Sequence, residues 1–332
     1  MGTGAGPSPY YAHGNAYLAG PYKGAPLSFV FITPAIAGPF DLGAVVVRAA
    51  VYIDPTTGQP RTVSDPLPQI LQGIPLDLRS VSMRVDRPQF TINPTSCSPK
   101  EFTAKLGTTL GQLVPLSERF QVGGCKSLPY KPKLAANLFG PIHRGGHPRF
   151  KAVFTAKPNE ANTKRIVLAL PRSEFIDQAH FRTICTRVQF AANQCPAGSV
   201  YGHVRAMSPL VGYPLEGPVY LRSSNNKLPD AVAALRGPPS QPIEIDAVAR
   251  VDSVNGGLRF TVPVLPDAPI TKVIISAQGG KKGLFQNSTN ICKGTHRIDL
   301  DLDGQNGKTA DATPALRAQC KGSKGSKKGR RG

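Results

Sequence analysis

LGAVVVRAAVYID (Leu42–Asp54) decides the fold class. Three consecutive valines, a further Val-Tyr-Ile and no helix-start signal suit a pleated, half-buried surface. Pro55-Thr-Thr-Gly58 follows at once and supplies a turn. Outward from this run the same texture repeats. Tyr17–Phe31 mixes aromatic and β-branched residues with Gly-Pro breaks, and Arg61–Ser64, Leu76–Val85 and Gln89–Ile92 read as further strands. Within Leu76–Val85 the apolar positions Leu76, Leu78, Val81, Met83 and Val85 alternate, with a phase slip near Ser80 that suggests a bulge.

The same order recurs downstream. Glu244–Asp252 matches the Val45–Asp54 strand, Ser253–Gly257 the turn and Leu258–Val264 the return strand, while Thr271–Ala277 corresponds to Arg79–Val85. The cysteines provide the ruler. Cys97 and Cys125 are 28 residues apart, as are Cys292 and Cys320, and the second pair lies 195 positions beyond the first. The chain therefore reads as one module and most of a second copy, each ending in a cross-linked hairpin. Six cysteines allow fifteen pairings. The repeat register favours neighbours: Cys97 with Cys125, Cys185 with Cys195, and Cys292 with Cys320. Structural disulfides imply an oxidising compartment.

Between the copies, Pro132–Leu138, Arg149–Thr155 and Lys164–Leu170 are strand-like. Three short helices are expected: Ser173–His180, Leu228–Leu235, and Arg187–Asn193. The last is opened by the capping box Thr186-Arg-Val-Gln189 and lies inside the Cys185/Cys195 loop. The expected architecture is all-β, with tandem immunoglobulin-like or related sandwiches and a few short helices. It comprises a truncated module over 1–125, a small β domain over 126–184, a second module over 185–320 and a disordered basic tail over 321–332.

Composition agrees. Gly (34) and Pro (33) together make up about a fifth of the 332 residues, which long helices do not tolerate and turn-rich β proteins do. Net charge is +20, of which the acid-free tail KGSKGSKKGRRG carries six. That surplus attracts polyanions such as acidic glycans or anionic cell-wall polymers. Candidate contacts are Lys281 and Lys282 in a Gly-rich turn, and Lys321, Lys324, Lys327, Lys328, Arg330 and Arg331 in the tail. Nucleic acid is disfavoured, because aromatic residues are 7% and none interleaves with the tail's charge. No run of 18 apolar residues spans a membrane. Met1 leads into the chain without a signal peptide, and the first copy lacks a counterpart of Cys185/Cys195. The sequence is therefore expected to be the C-terminal part of a longer exported protein.

Motifs with chemistry are sparse. Asp299-Leu-Asp301-Leu-Asp303-Gly304 opens like a calcium loop, but Ala310 stands where the bidentate Glu belongs, so a strand with one wet face is expected. His143-Arg-Gly-Gly-His147 spaces two imidazoles for a metal but reads as a solvated loop with no third ligand. Ser173, Asp177 and His180 would share a helix face without an oxyanion hole, and read as polar surface. Gly123-Gly-Cys-Lys-Ser127 and Gly279-Gly-Lys-Lys-Gly283 fall short of a phosphate loop. No cofactor, metal or catalytic residue is expected from these.

Long strings are familiar in order: AGPFDLGAVVVRA (37–49), SDPLPQILQGIPLDLRSV (64–81), FQVGGCKSLPYKPKL (120–134), LPRSEFIDQAHFRTICTRVQFAANQCPAGSVYGH (170–203) and QGGKKGLFQNSTNIC (278–292). They resemble a family of large actinobacterial exported repeat proteins of uncharacterised function. The resemblance implies export, a modular β-rich build and association with the cell envelope. The expected function is a non-enzymatic, disulfide-stapled structural or adhesion-type envelope protein that packs against neighbouring modules of a longer chain. A carbohydrate- or polyanion-binding module is the alternative, and a hydrolase assembled from distant loops ranks third.

Overall fold

The Leu42–Asp54 run forms a central strand. In the computed structural model, residues 2–3, 10–37, 39–88, 90–254 and 256–320 are described. The chain divides into two units, Met1–Asn93 with Arg236–Ile245, and Pro94–Leu235 with Asp246–Gly332.

In the first unit, β1 (Gly2–Thr3) pairs with β2 (Tyr10–Tyr11). An antiparallel sheet follows in the order β3 (Asn15–Ala19), β4 (Leu27–Ala37), β5 (Phe40–Ile53) and β6 (Pro60–Ser64). Val47, Ala49, Ala50 and Val51 of β5 are buried. The turn into β6 is an Asx turn: the Asp54 carboxylate accepts from the Thr56 and Thr57 amides and the Thr57 hydroxyl, and Gly58 takes a positive φ of 68°. These three donors hold the Asp54 carboxyl below its ordinary range. A small hairpin, β7 (Ile70–Leu71) and β8 (Ile74–Pro75), turns through Gln72 and Gly73, both at positive φ.

The second unit begins with the hairpin β9 (Lys100–Gly107) and β10 (Leu113–Phe120), bracketed by the Cys97–Cys125 disulfide. Its remaining strands are β11 (Lys133–Phe139), β12 (Arg149–Thr155), β13 (Thr163–Ala169), β14 (Glu174–Ile176), β15 (Val200–Met207), β16 (Leu215–Arg222), β17 (Asp230–Arg236), β18 (Glu244–Val254), β19 (Gly257–Val262), β20 (Lys272–Ala277), β21 (Phe285–Asn287), β22 (Asp299–Gly304), β23 (Thr309–Ala312) and β24 (Leu316–Ala318). Twelve of them form one sheet in the order β23-β22-β13-β19-β18-β17-β16-β15-β20-β12-β11-β24. The sheet curls on itself. Leu134 and Phe154, from β11 and β12 near one end, share a core with Ile166, Leu300 and Leu302, from β13 and β22 near the other. The short antiparallel pair β14–β21 forms a separate ladder, and its Ile176 and Phe285 pack into the sheet's core with Phe150, Val251 and Phe260.

The fold is all-β with few helices, as expected. Its hydrogen-bond order, however, is that of one continuous curled sheet rather than the paired sheets of an immunoglobulin-like sandwich. Residues 126–184 form no unit by themselves, because β11–β13 hydrogen-bond within the same sheet as strands from 185–320. The helix α1 (Arg187–Ala191) has its capping box: Gln189 N donates to Thr186 Oγ1 and Thr186 N donates to Gln189 Oε1. Asp299–Gly304 is a strand with Leu300 and Leu302 buried, and Asp303 pairs with Arg165 at 3.1 Å.

Four expected elements differ. Leu228–Leu235 contributes to the strand β17, not a helix. Val232 and Ala234 bury on one face, and the neighbouring strands satisfy the backbone, which overrides the helix propensity of Ala and Leu. Ser173–His180 splits into β14 and one 3₁₀ turn, Gln178–His180, because pairing with β21 claims its first half. Leu76–Val85 forms no strand. Val81, Met83 and Val85 are exposed despite their alternation, since a strand needs a partner and this segment has none. Of Gln89–Ile92, Gln89 lies outside the described residues and the other three are not a strand.

Candidate functional site

Alternate residues along a strand face the same side, so the inner face of the curled sheet can be read strand by strand. β13 contributes Ile166 and Leu168, β19 Phe260 and Val262, and β20 Ile275 and Ala277. β17 contributes only methyl groups, at Ala231 and Ala233, and β18 contributes Ala247, Ala249 and Val251. Bulky side chains on some strands and alanines on others leave a space of about 210 Å³. Ile176, Phe181, Leu284 and Phe285, from the β14–β21 region, complete its wall. None of the lining residues is charged. The Tyr201 hydroxyl, at the wall, is occupied by the carbonyls of His180 and Thr183. Such a space favours an apolar guest and offers an ionic one nothing. It exceeds the roughly 150 Å³ apolar cavity known to admit benzene.

Beside this wall three polar side chains meet. His147 Nε2 lies 3.0 Å from Asp177 Oδ2, and His180 Nε2 lies 3.8 Å from the same oxygen. The two imidazoles stack with centroids 4.4 Å apart. All three are about four-fifths buried, at 18%, 21% and 19% side-chain exposure for His147, Asp177 and His180. The His147 hydrogen bond, with the Ala179 amide, holds the Asp177 carboxyl below its ordinary range.

Each member is fixed from behind. Asn287 Nδ2 donates to the carbonyls of Pro141 and His143, and the Asn287 backbone exchanges bonds with Gly145 and Gly146, which pins the loop that delivers His147. Asp177 N donates to Leu284 O, and Asp177 Oδ1 caps the 3₁₀ turn by accepting from Ala179 N. His180 Nδ1 donates to Gly283 O at 2.6 Å. Gly279 and Gly283 are there for lack of room. A Cβ on Gly279 would sit 2.5 Å from Arg149 N, and one on Gly283 would sit 3.0 Å from His147 Cβ. The Gly279–Gly283 turn, which falls short of a phosphate loop, is thus a packing device behind His147 and His180.

Beneath the cluster, Glu174 is buried opposite Asn287 in the β14–β21 ladder. Burial pushes its carboxyl up to about 8.

The six cysteines are joined as Cys97–Cys125, Cys185–Cys195 and Cys292–Cys320, a pattern of non-cytoplasmic proteins. No helix among the described residues is long and apolar enough to cross a membrane. Lys281 and Lys282 are exposed on the 3₁₀ turn before Gly283. Lys321, Lys324, Lys327, Lys328, Arg330 and Arg331 lie outside the described residues. His143 is solvated, with Nδ1 against Arg144 O, whereas His147 is not: its partner Asp177 comes from 30 residues away. In the sequence His143/His147 and Ser173/Asp177/His180 are separate groups. Their union is invisible without the fold, although both flank buried apolar runs and that proximity is the one signal available. No protein-family model, curated protein or solved structure matches the chain.

Proposed function

We propose that the second unit binds a small apolar molecule, or the apolar end of a larger one, inside the curled sheet of a disulfide-stapled, exported protein. One observation carries this: the space behind β17 and β18 is walled by alanines and aromatic or branched side chains, and no charged residue lines it. Natural cores fill such volume, because unfilled apolar space forfeits dispersion contacts along its walls. Three disulfides support an extracellular or envelope setting, and so does the resemblance to exported repeat proteins. The structural or adhesive role expected from the sequence explains the cross-links and the repeated cysteine register but leaves the cavity without a purpose. The net charge of +20 and the exposed Lys281 and Lys282 support a second property, retention on an acidic glycan or anionic cell-wall polymer.

The test is uptake of a fluorescent polyene fatty acid or aminoanthracene. Saturable binding at one site is expected, and Ala249→Phe, which fills the space, weakens it at least about tenfold while the melting temperature holds. Absence of uptake, or uptake indifferent to Ala249→Phe, overturns the reading.

A further inference from the structure

The geometry points to a zinc-class divalent metal site built by His147, Asp177 and His180. This does not depend on the ligand proposed for the cavity. The three donors come from two separate segments, the loop before β12 and the turn after β14, and their ligand atoms all lie within 4.8 Å of one another. Tetrahedral zinc with bonds of about 2.0–2.1 Å sets its ligand atoms roughly 3.3 Å apart. The two distances to Asp177 Oδ2, 3.0 and 3.8 Å, bracket that value, and the two histidine nitrogens need only draw together from within 4.8 Å.

The outer contacts are those a metal-binding histidine uses. His180 spends its Nδ1–H on the Gly283 carbonyl, which fixes the tautomer and leaves the Nε2 lone pair facing Asp177 and His147. Asp177 has its Oδ1 committed to the Ala179 amide and turns Oδ2 toward both imidazoles. Asn287 holds the His147 loop through four hydrogen bonds, two from its side chain and two from its backbone. Two nitrogens and one carboxylate oxygen, held rigidly and partly exposed, form a set that zinc accepts with water in the fourth position. The cysteines are all oxidised, so no thiolate competes for the ion.

The position suggests what the ion does. It cross-links the 141–147 loop to the 177–180 turn beside the cavity wall, because Ile176 and Phe181, which flank the turn, both line the cavity. Zinc therefore raises the melting temperature as well as binding, since an ion that binds the native state stabilises it.

The experiment uses the full chain, stripped with a chelator and dialysed, then titrated calorimetrically with Zn²⁺ at neutral pH. Co²⁺ serves as the spectroscopic probe. One equivalent of Zn²⁺ is expected, with the intensified visible absorption of four-coordinate Co²⁺. His147→Ala and His180→Ala should weaken binding at least about a hundredfold, and Asp177→Asn at least about tenfold. His143→Ala, four residues from His147 and solvated, should change it less than about twofold. Circular dichroism verifies each fold. Should His180→Ala unfold for want of the Gly283 contact, His147→Ala and the isosteric Asp177→Asn decide the matter. The site is overturned if the wild type binds no equivalent of Zn²⁺, or if those two variants bind it as the wild type does.

Discussion

Glu174 and Asn287 lie directly opposite each other across the β14–β21 ladder, each about 1% exposed. The Asn287 amide nitrogen is spent on two carbonyls of the 141–147 loop. Among the described residues its Oδ1 has no donor within hydrogen-bond distance. Burial disfavours the charged carboxylate and raises the Glu174 carboxyl to about 8, against the opposing effect of the Ser173 hydroxyl.

Stability therefore falls as pH rises through neutrality. An unfolded glutamate ionises near its ordinary 4.5 while the folded one keeps its proton until about 8. Between those values the native state binds one more proton than the unfolded state, so unfolding free energy drops by up to roughly 1.4 kcal/mol per pH unit. Below 4.5 the effect is absent, and above 8 it is complete. Glu174→Gln should flatten the profile and gain about 2 kcal/mol at pH 7.5. Urea denaturation at pH 5 and pH 7.5 measures both, and parallel profiles for wild type and variant would refute the assignment.

Gly217 is a matter of clearance. A Cβ there would stand 1.8 Å from the Ala234 carbonyl oxygen, a backbone atom held in the sheet. Gly217→Ala should cost about 3 kcal/mol. Gly212→Ala, with nothing within 4 Å of its Cβ, should stay within about 0.5 kcal/mol of wild type. Thermal melts of the pair give the contrast directly.

Asp267 anchors the segment that leads into Cys97. Its carboxylate accepts from Thr95 N, Thr95 Oγ1, Ser96 N and Asn162 Nδ2, at 2.8–3.1 Å. Asp267→Ala strands these donors and should cost about 2–3 kcal/mol. Asp267→Asn, which keeps one acceptor oxygen, should cost about half as much. Equal losses in the two variants would show that shape, not hydrogen bonding, matters here.

The Cys185–Cys195 bridge closes the loop that contains α1, and Cys185 is fully buried. A five-residue helix has no stability of its own in water. Replacing both cysteines by alanine should remove about 2–3 kcal/mol and speed amide exchange in 187–191 before the rest of the unit. Uniform exchange across the unit would argue that α1 is held by packing instead.

The sequence by itself determined what depends on near neighbours. The β-branched run at 42–54 and its Asx turn, the 299–312 hairpin with aspartates on its wet face, and the Thr186–Gln189 capping box all follow from residues a few positions apart. Their physics is steric preference, local hydrogen bonding and alternation. The tertiary structure decided what depends on distant partners. It turned 230–236 from a helix former into a strand because the sheet supplied its hydrogen bonds, and it left 76–85 unpaired although its pattern is a strand's. It also carried His147 to Asp177 and His180 and buried Glu174 against Asn287. Such contacts are fixed by the closing of a curled sheet between strands far apart in the chain, and alternation records only which side of a strand is apolar, not what it will face.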